Sequence, residues 1–436
     1  MTECKQLDLA LPRVKGRQVR VDFGGGDVSS DGGLVAIREV DRKMKLTERV
    51  ARLLRDPRMS GKVEHKVVRM LRQRVYGMCA GWEDLNDAEA LRHDPLLQTL
   101  TGRDRALASA STLCRHENQQ DRATAVSVSK LLVELFLNGF EKEPEELILD
   151  FDATNDPVHG HQEGRFFHGY YDEYCFLPLY VFCGDQLLVA YLRQSNQDTA
   201  KHAGAILKLL VRQIRSRFPN TRIIFRGDSG FCRDLILSWC DRFDVGYVVG
   251  IARNKVLEEN GEELQQKAAQ QYAHSGQKQR LFGGFEYKAG SWKWMRWVIH
   301  KAEHTDKGSN PRFVVTNLDS DEQTVYEQRY CPRGEMENRI KEQMQLFSDR
   351  TSAHEWWPNQ WRVLLSALAY TLMEKLRSTA LKGTEFAKAQ MSTIRSKLLK
   401  IGAVITRNSR TVHIRLSSSF PKQQLLALIM HRLGAT

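Results

Sequence analysis

LILDFDAT, residues 147–154, is where the texture of the chain changes. Before it, from Leu34 to about Phe140, apolar residues recur at helical spacing, with amphipathic runs at 63–79, 84–91 and 123–137. From Glu146 on, they come in short runs bounded by turn residues. LILDFDAT reads as a strand, and FLPLYVFC (176–183) and QLLVAYLR (186–193) come after it, the last two joined at Gly184-Asp185. Three such strands in sequence imply an antiparallel meander.

Helical spacing then occupies 199–218, a short buried strand is expected at 222–226, a helix at 231–243 and another strand at 245–251. The order β-β-β-α-β-α-β, an antiparallel start continued by βαβ crossovers, is the order of ribonuclease H-like α/β domains with a mixed sheet. Between 253 and 326 a polar helix is followed by strand-like stretches, FEYK, SWKWMRWVIH and RFVVTNL, which read as a β-rich insertion. Long helices are expected at 335–347 and 361–381, and GAVITRNSRTVHIRL (402–416) reads as a hairpin turning at Asn408-Ser409. These readings divide the chain into a mostly helical N-terminal domain (1–142), the first part of the α/β core (143–252), the insertion (253–326), the rest of the core (327–390) and a basic C-terminal region (391–436). The N-terminal domain suits DNA binding through a helix in a groove, and equally a packing or dimerisation role.

The 436 residues are 42% hydrophobic, enough to bury sizeable cores. Lys and Arg total 65 against 53 Asp and Glu, a net charge of +12, which points to a polyanionic partner. Residues 371–436 hold twelve Lys or Arg against Glu374 and Glu385, so 12 − 2 = +10 of that charge lies in the tail. Eight scattered cysteines, with no CxxC pair, read as reduced thiols and not as a zinc site. MTECKQLDLALPRVKGR lacks the apolar run of a signal peptide, and the most apolar helical stretch, 363–373, is too short to cross a bilayer. A cytoplasmic, DNA-associated protein of a bacterial type is therefore expected, with no membrane partner. GGGDVSSDGG (24–33) is a turn-rich stretch whose glycines serve the turn; no Lys-Ser/Thr comes after them, so a phosphate-cradling loop is disfavoured.

Three carboxylates stand at telling places. Asp152 lies near the end of the LILDFDAT strand among apolar residues, where an uncompensated charge is costly and a cation offsets the cost; a strand-end Asp capping the next turn fits as well. Asp228, in RIIFRGDSGF, comes after an apolar strand at the carboxyl end where open α/β sheets gather ligands; it can equally be a helix N-cap. Glu337, in YCPRGEMENRIKEQMQLF, shares a helix face with Arg333 and Lys341, also the pattern of a solvated salt-bridge ladder. Two-metal phosphoryl transfer needs acidic groups that hold two cations about 4 Å apart, and Asp and Glu suit the hard Mg²⁺ ion.

These residues resemble the bacterial insertion-sequence transposases of the DDE superfamily, especially the thirteen-eighty group related to the IS-four group. The stretches that carry the resemblance are DFGGGDVSSDGGL, HKVVRMLRQRVYGMCAGWEDLNDAEALRHDP, LDFDATNDPVHGHQEG, RGDSGFC and YCPRGEMENRIKE, essentially end to end. It implies an Asp-x-Thr match at Asp152-Ala153-Thr154, which favours Asp152 over Asp150 and Asp156, a second carboxylate at Asp228, and a Tyr-x-x-Arg-x-x-x-Glu signature at Tyr330, Arg333 and Glu337. The related signature places a Lys seven residues after the Glu, where this chain has Met344; Lys341 is the nearest substitute. The resemblance implies that Tyr330, Arg333 and Lys341 hold DNA phosphates, and that Trp292, Trp294 and Trp297 of the insertion either stack on an unpaired base or, with Trp292 and Trp294 on one strand face, belong to a core.

The implied activity is cleavage at terminal inverted repeats and then strand transfer into target DNA, with two Mg²⁺ ions (or Mn²⁺) on Asp152, Asp228 and Glu337. Double-stranded DNA is the expected partner, bound by a homodimer or higher oligomer, with the basic tail supplying phosphate contacts. The rival readings are a nuclease of the same fold that cuts without joining, and a non-catalytic DNA-binding regulator derived from a transposase.

Overall fold

A hairpin opens the described part of the chain. In the computed structural model, which describes residues 9–435, β1 (Leu9–Val14) and β2 (Arg17–Val21) pair antiparallel. Lys15 and Gly16 both take positive φ, 48° and 79°, as a two-residue turn matching the twist of a β-ribbon requires. Pro12 interrupts the alternation of β1, and the register shifts between Leu11 and Val14. Cys4 and the first residues of the segment expected to lack a signal peptide lie outside the described residues. The other seven cysteines are free.

The chain forms two units: residues up to Gln119 together with those from Leu368 on, and Gln120–Ala367 between them. The first unit continues with β3 (Val28–Ser29) and helices α1 (Leu34–Met44), α2 (Leu46–Ala51), α3 (Val67–Ala80), α4 (Asp87–Leu91), α5 (Pro95–Thr101) and α6 (Ala110–Glu117). Pro95 at the start of α5 and the Asp94 carboxylate, which accepts the Leu97 N–H at 2.6 Å, set that helix's first turn. Gly33 is required by close approach: a Cβ there would lie 2.0 Å from the Leu398 carbonyl oxygen. The N–H groups of Gly32 and Gly33 are given to the carbonyls of Ile401 and Leu399, at 2.8 and 3.0 Å, so they are not free to cradle a phosphate.

The second unit starts with α7 (Arg122–Leu137) and β4 (Glu146–Ala153). Three short strands, β5 (Asp156–Pro157), β6 (Phe166–His168) and β7 (Glu173–Phe176), form a small sheet of their own. Then come β8 (Leu179–Cys183), β9 (Gln186–Tyr191), α8 (Ala203–Arg217), β10 (Arg222–Gly227), α9 (Asp234–Arg242) and β11 (Gly246–Ile251). The β-rich stretch supplies α10 (Lys255–Asn260), α11 (Glu262–Ser275), β12 (Gln279–Tyr287), β13 (Arg296–Thr305), β14 (Gly308–Ser309) and β15 (Arg312–Thr316). Its strands continue the central sheet, whose order is β12-β13-β15-β11-β10-β4-β8-β9. Within this sheet the neighbouring pairs β4–β10 and β10–β11 are parallel, and β8 and β15 flank them antiparallel.

Period-two alternation along β4 sorts its side chains between two faces. Leu147, Leu149 and Phe151 join a core with Ile223, Phe225 and Val249 of the sheet and with residues of α7, α8 and α9. On the opposite face Ile148 packs with Ile224, Val248, Val325, Tyr326 and Tyr330. Val325 to Tyr330 form a π-helix that comes after the single turn α12 (Glu322–Thr324) and leads into α13 (Gly334–Met344). Through α14 (Trp356–Lys375) the chain passes back to the first unit, where α15 (Met391–Ile394), the hairpin β16 (Ala403–Arg407) and β17 (Val412–Leu416), and α16 (Gln423–Arg432) complete it. No described helix is long and apolar enough to cross a membrane.

The tryptophans differ from expectation. Trp292 and Trp294 share no strand face, because β13 starts only at Arg296; Trp292 is buried against Tyr287, while Trp294 and Trp297 are exposed.

Candidate active site

The apolar face of β4 leaves Ile148, Asp150 and Asp152 on the other side, and the neighbouring strands are in step with it. β4 and β10 pair in parallel with Phe151 beside Gly227, so one residue further Asp152 stands beside Asp228, both at carboxyl ends. β10 and β11 pair with Gly227 beside Val249, which sets Asp228 beside Gly250. Asp152, Asp228 and Gly250 thus form one row across three parallel strands.

The row beneath is closed by an ion pair. Arg226 donates to both oxygens of Asp150, through Nη2 at 2.6 Å and through Nε, and through Nη1 to the Arg329 carbonyl at 2.5 Å. Asp150 and Arg226 are both buried, so their charges answer each other. Asp156 is also buried; its carboxyl accepts the Thr351 hydroxyl at 2.8 Å, and burial pushes it up to about 7. Asp152 differs from both neighbours in having only a loose side-chain partner among the described residues. Arg333 Nη1 reaches its Oδ2 at 3.4 Å, and its Oδ1 accepts the Ala153 N–H at 2.9 Å. Burial is the main reason its carboxyl is pushed up to about 6; Asp228 and Glu337 add to it and Arg333 opposes it.

Arg333 is the hub. Its second nitrogen lies 3.7 Å from Glu337 one turn along α13, so one guanidinium bridges Asp152 and Glu337. Burial disfavours the arginine's charge, but Asp152, Tyr330, Asp228 and Glu337 together hold its pKa above the ordinary value. Burial raises the Tyr330 pKa against the opposing charge of Arg333, and the Tyr330 hydroxyl fills the space over Gly250: a Cβ there would lie 2.6 Å from it. Asp228 also does what a helix cap does, accepting the Gly230 N–H at 2.8 Å at the start of a single 3-10 turn.

Of the six residues expected at the site, Asp152, Asp228, Glu337, Tyr330 and Arg333 come together. Lys341 is exposed about two turns beyond Arg333 on the same helix, and Met344 is half-buried at its end. Three further residues shape the site. Arg226 fastens the π-helix to β10, and Gly250 makes room for Tyr330. Tyr171, in the β6–β7 turn, has its hydroxyl pKa raised by burial first, then by Tyr170, with Asp152 and Asp228 contributing. Only Gly250 left a trace in the sequence, as a glycine inside an apolar strand run.

The donor set suits a hard divalent cation: carboxylate oxygens at adjacent strand ends, one of them destabilised by its own burial. As arranged, the positive charge there is supplied by Arg333, and among the described residues no three His, Cys, Asp or Glu side chains are placed to hold one metal ion together. Glu337, which is half exposed, is kept from Asp152 by the Arg333 guanidinium between them.

A family model described as "Transposase DDE domain group 1" matches residues 11–436. No curated protein matches the chain. Among solved structures, the chain is similar to that of the piggyBac transposase synaptic complex with hairpin DNA, at 11% identity and a TM-score of 0.43, over 85% of this chain and 80% of that one.

Proposed function

The chain belongs to the transposase DDE domain group 1 family, and from that premise we propose that it is a metal-dependent DNA transposase, cutting at the terminal inverted repeats of its element and joining the freed ends to target DNA. The observation that carries this reading is the row of Asp152 and Asp228 at the ends of adjacent parallel strands, with Arg333 bridging Asp152 to Glu337. The meander of β4, β8 and β9, continued by the crossovers to β10 and β11, supports a ribonuclease H-like core. The motif stretches support membership of the thirteen-eighty group.

Asp152, Asp228 and Glu337 would hold two Mg²⁺ or Mn²⁺ ions, which when bound neutralise charge at the scissile phosphate and lower the pKa of the attacking water. Tyr330 and Arg333 donate to phosphate oxygens beside the cut, Arg333 exchanging a carboxylate partner for a phosphate. In the second step the freed 3′-hydroxyl attacks a target phosphorus and displaces a target oxygen in line, with no covalent protein intermediate. Joining two ends to one target calls for at least two subunits.

A nuclease that cuts without joining would use the same row. A non-catalytic regulator has no need of a buried, poorly partnered Asp152, which disfavours that alternative. Excision and integration of a marked element, measured for the wild type and for Asp152→Ala, Asp228→Ala and Glu337→Ala with folding and DNA binding verified, test the reading. All three variants are expected to lose activity by about 10³-fold or more. Activity near wild type in any of them overturns that residue's role, and excision without integration in the wild type leaves only the nuclease.

A further inference from the structure

The β1–β2 hairpin is a sheet of two strands only, with no third strand beside it among the described residues. Every residue from Ala10 to Val28 is exposed except the half-buried Val19. A lone two-stranded hairpin is marginally stable in water, so this one gains its order from a surface that the described chain does not supply.

Its charge indicates what that surface is. Residues 9–21 hold Arg13, Lys15, Arg17 and Arg20 and no Asp or Glu, with three of the cations at the turn. Arg13, Lys15 and Arg17 have no ion-pair partner among the described residues. In the C-terminal region, whose sequence is the more basic, at least half of the twelve cations already have partners inside the first unit. Arg377 pairs with Glu374, Lys400 with Asp31 and Lys422 with Glu385. Arg395 donates to the carbonyls of Cys79 and Met78, Arg407 to Pro95, and Arg432 to Ala380 and Lys382.

We propose that the β1–β2 hairpin is a DNA-binding arm: its twisted two-stranded ribbon enters the major groove of duplex DNA, and Arg13, Lys15 and Arg17 contact phosphates. A ribbon of two strands is the β-structure that groove admits, and the primed turn at Lys15-Gly16 gives the twist such a ribbon needs. The inference rests on the transposase reading, which makes DNA the partner, and adds which element grips it.

The test titrates the full chain onto a fluorescent random-sequence duplex of about 40 base pairs between about 50 and 200 mM salt. Wild type, Arg13→Ala/Lys15→Ala/Arg17→Ala and Leu11→Ser/Val21→Ser are compared, with circular dichroism to verify the fold. Losing three phosphate contacts is expected to reduce the slope of log affinity against log salt by about 2.7, with Leu11→Ser/Val21→Ser near wild type. A triple variant with the wild-type slope overturns the arm while leaving the transposase reading intact. A wild type that does not bind the duplex at low salt overturns both. If Leu11→Ser/Val21→Ser instead halves the mass seen by light scattering and the cation variant keeps its slope, the hairpin holds a second copy of the chain and the proposal falls.

Discussion

Asp152 keeps its carboxyl where water reaches it poorly, and two other acids bear on it. The cost of that placement shows in its pKa, raised from 3.8 to about 6, and Asp156 repeats it at about 7. An acid whose pKa is higher folded than unfolded binds more protons in the folded state between the two values. Stability therefore falls as pH rises through that interval and levels off above it. The chain is expected to be less stable at pH 8 than at pH 5, and Asp152→Asn and Asp156→Asn should each recover on the order of 2 kcal/mol at pH 8. Urea unfolding of the metal-free protein at both pH values measures this, and an Asn variant whose pH dependence equals the wild type's refutes the assignment for that residue. The residue scale also explains which of three nearby acids is free to react. Asp150 is taken by Arg226 and Asp156 is tied to Thr351, whereas among the described residues the only side chain that reaches Asp152 is Arg333, at long range.

Among the elements, the π-helix Val325–Tyr330 sets the entry of α13, and Arg226 is what holds it to the sheet. A helix with one residue too many per turn rotates the segment beyond it; Tyr330 stands at that junction, and Arg333 and Glu337 lie past it. Arg226→Met strands the Asp150 charge and should cost about 3–5 kcal/mol. The double change Arg226→Met/Asp150→Leu removes both charges and is expected to restore most of that stability. It also frees the Arg329 carbonyl, so transposition should stay at least about ten-fold low even in the refolded double variant, a barrier higher by roughly 1.4 kcal/mol. Full activity in a stable double variant would show that the bond to Arg329 positions nothing.

At the scale of the whole molecule, the chain's two ends build one unit and its middle the other. The C-terminal region read as a basic tail is structural. β16 pairs with β3, Gly32 and Gly33 bond to the carbonyls of Ile401 and Leu399, and Arg395 reaches those of Met78 and Cys79. Deleting residues 391–436 is thus expected to expose α1 to α6, with loss of protection in amide hydrogen exchange, while β4, β10 and β11 stay protected. Unchanged protection of α3 in the truncated chain would contradict this. What the amino-acid order determined alone was local: the alternation of β4, the apolar runs of β10 and β11, the helical spacing on either side, and the positions of Asp152, Asp228 and Glu337 on strand, strand end and helix. Those arise from periodicity and turn chemistry within a few residues. Only the tertiary structure decided that β12 to β15 continue the central sheet, that Arg226 neutralises Asp150, that Gly250 admits Tyr330, and that Arg395, Lys400 and Arg407 are committed to partners in the N-terminal part of the first unit. Each of these joins residues tens to hundreds of positions apart, and strand pairing and charge burial depend on what stands opposite in space, which no local pattern records.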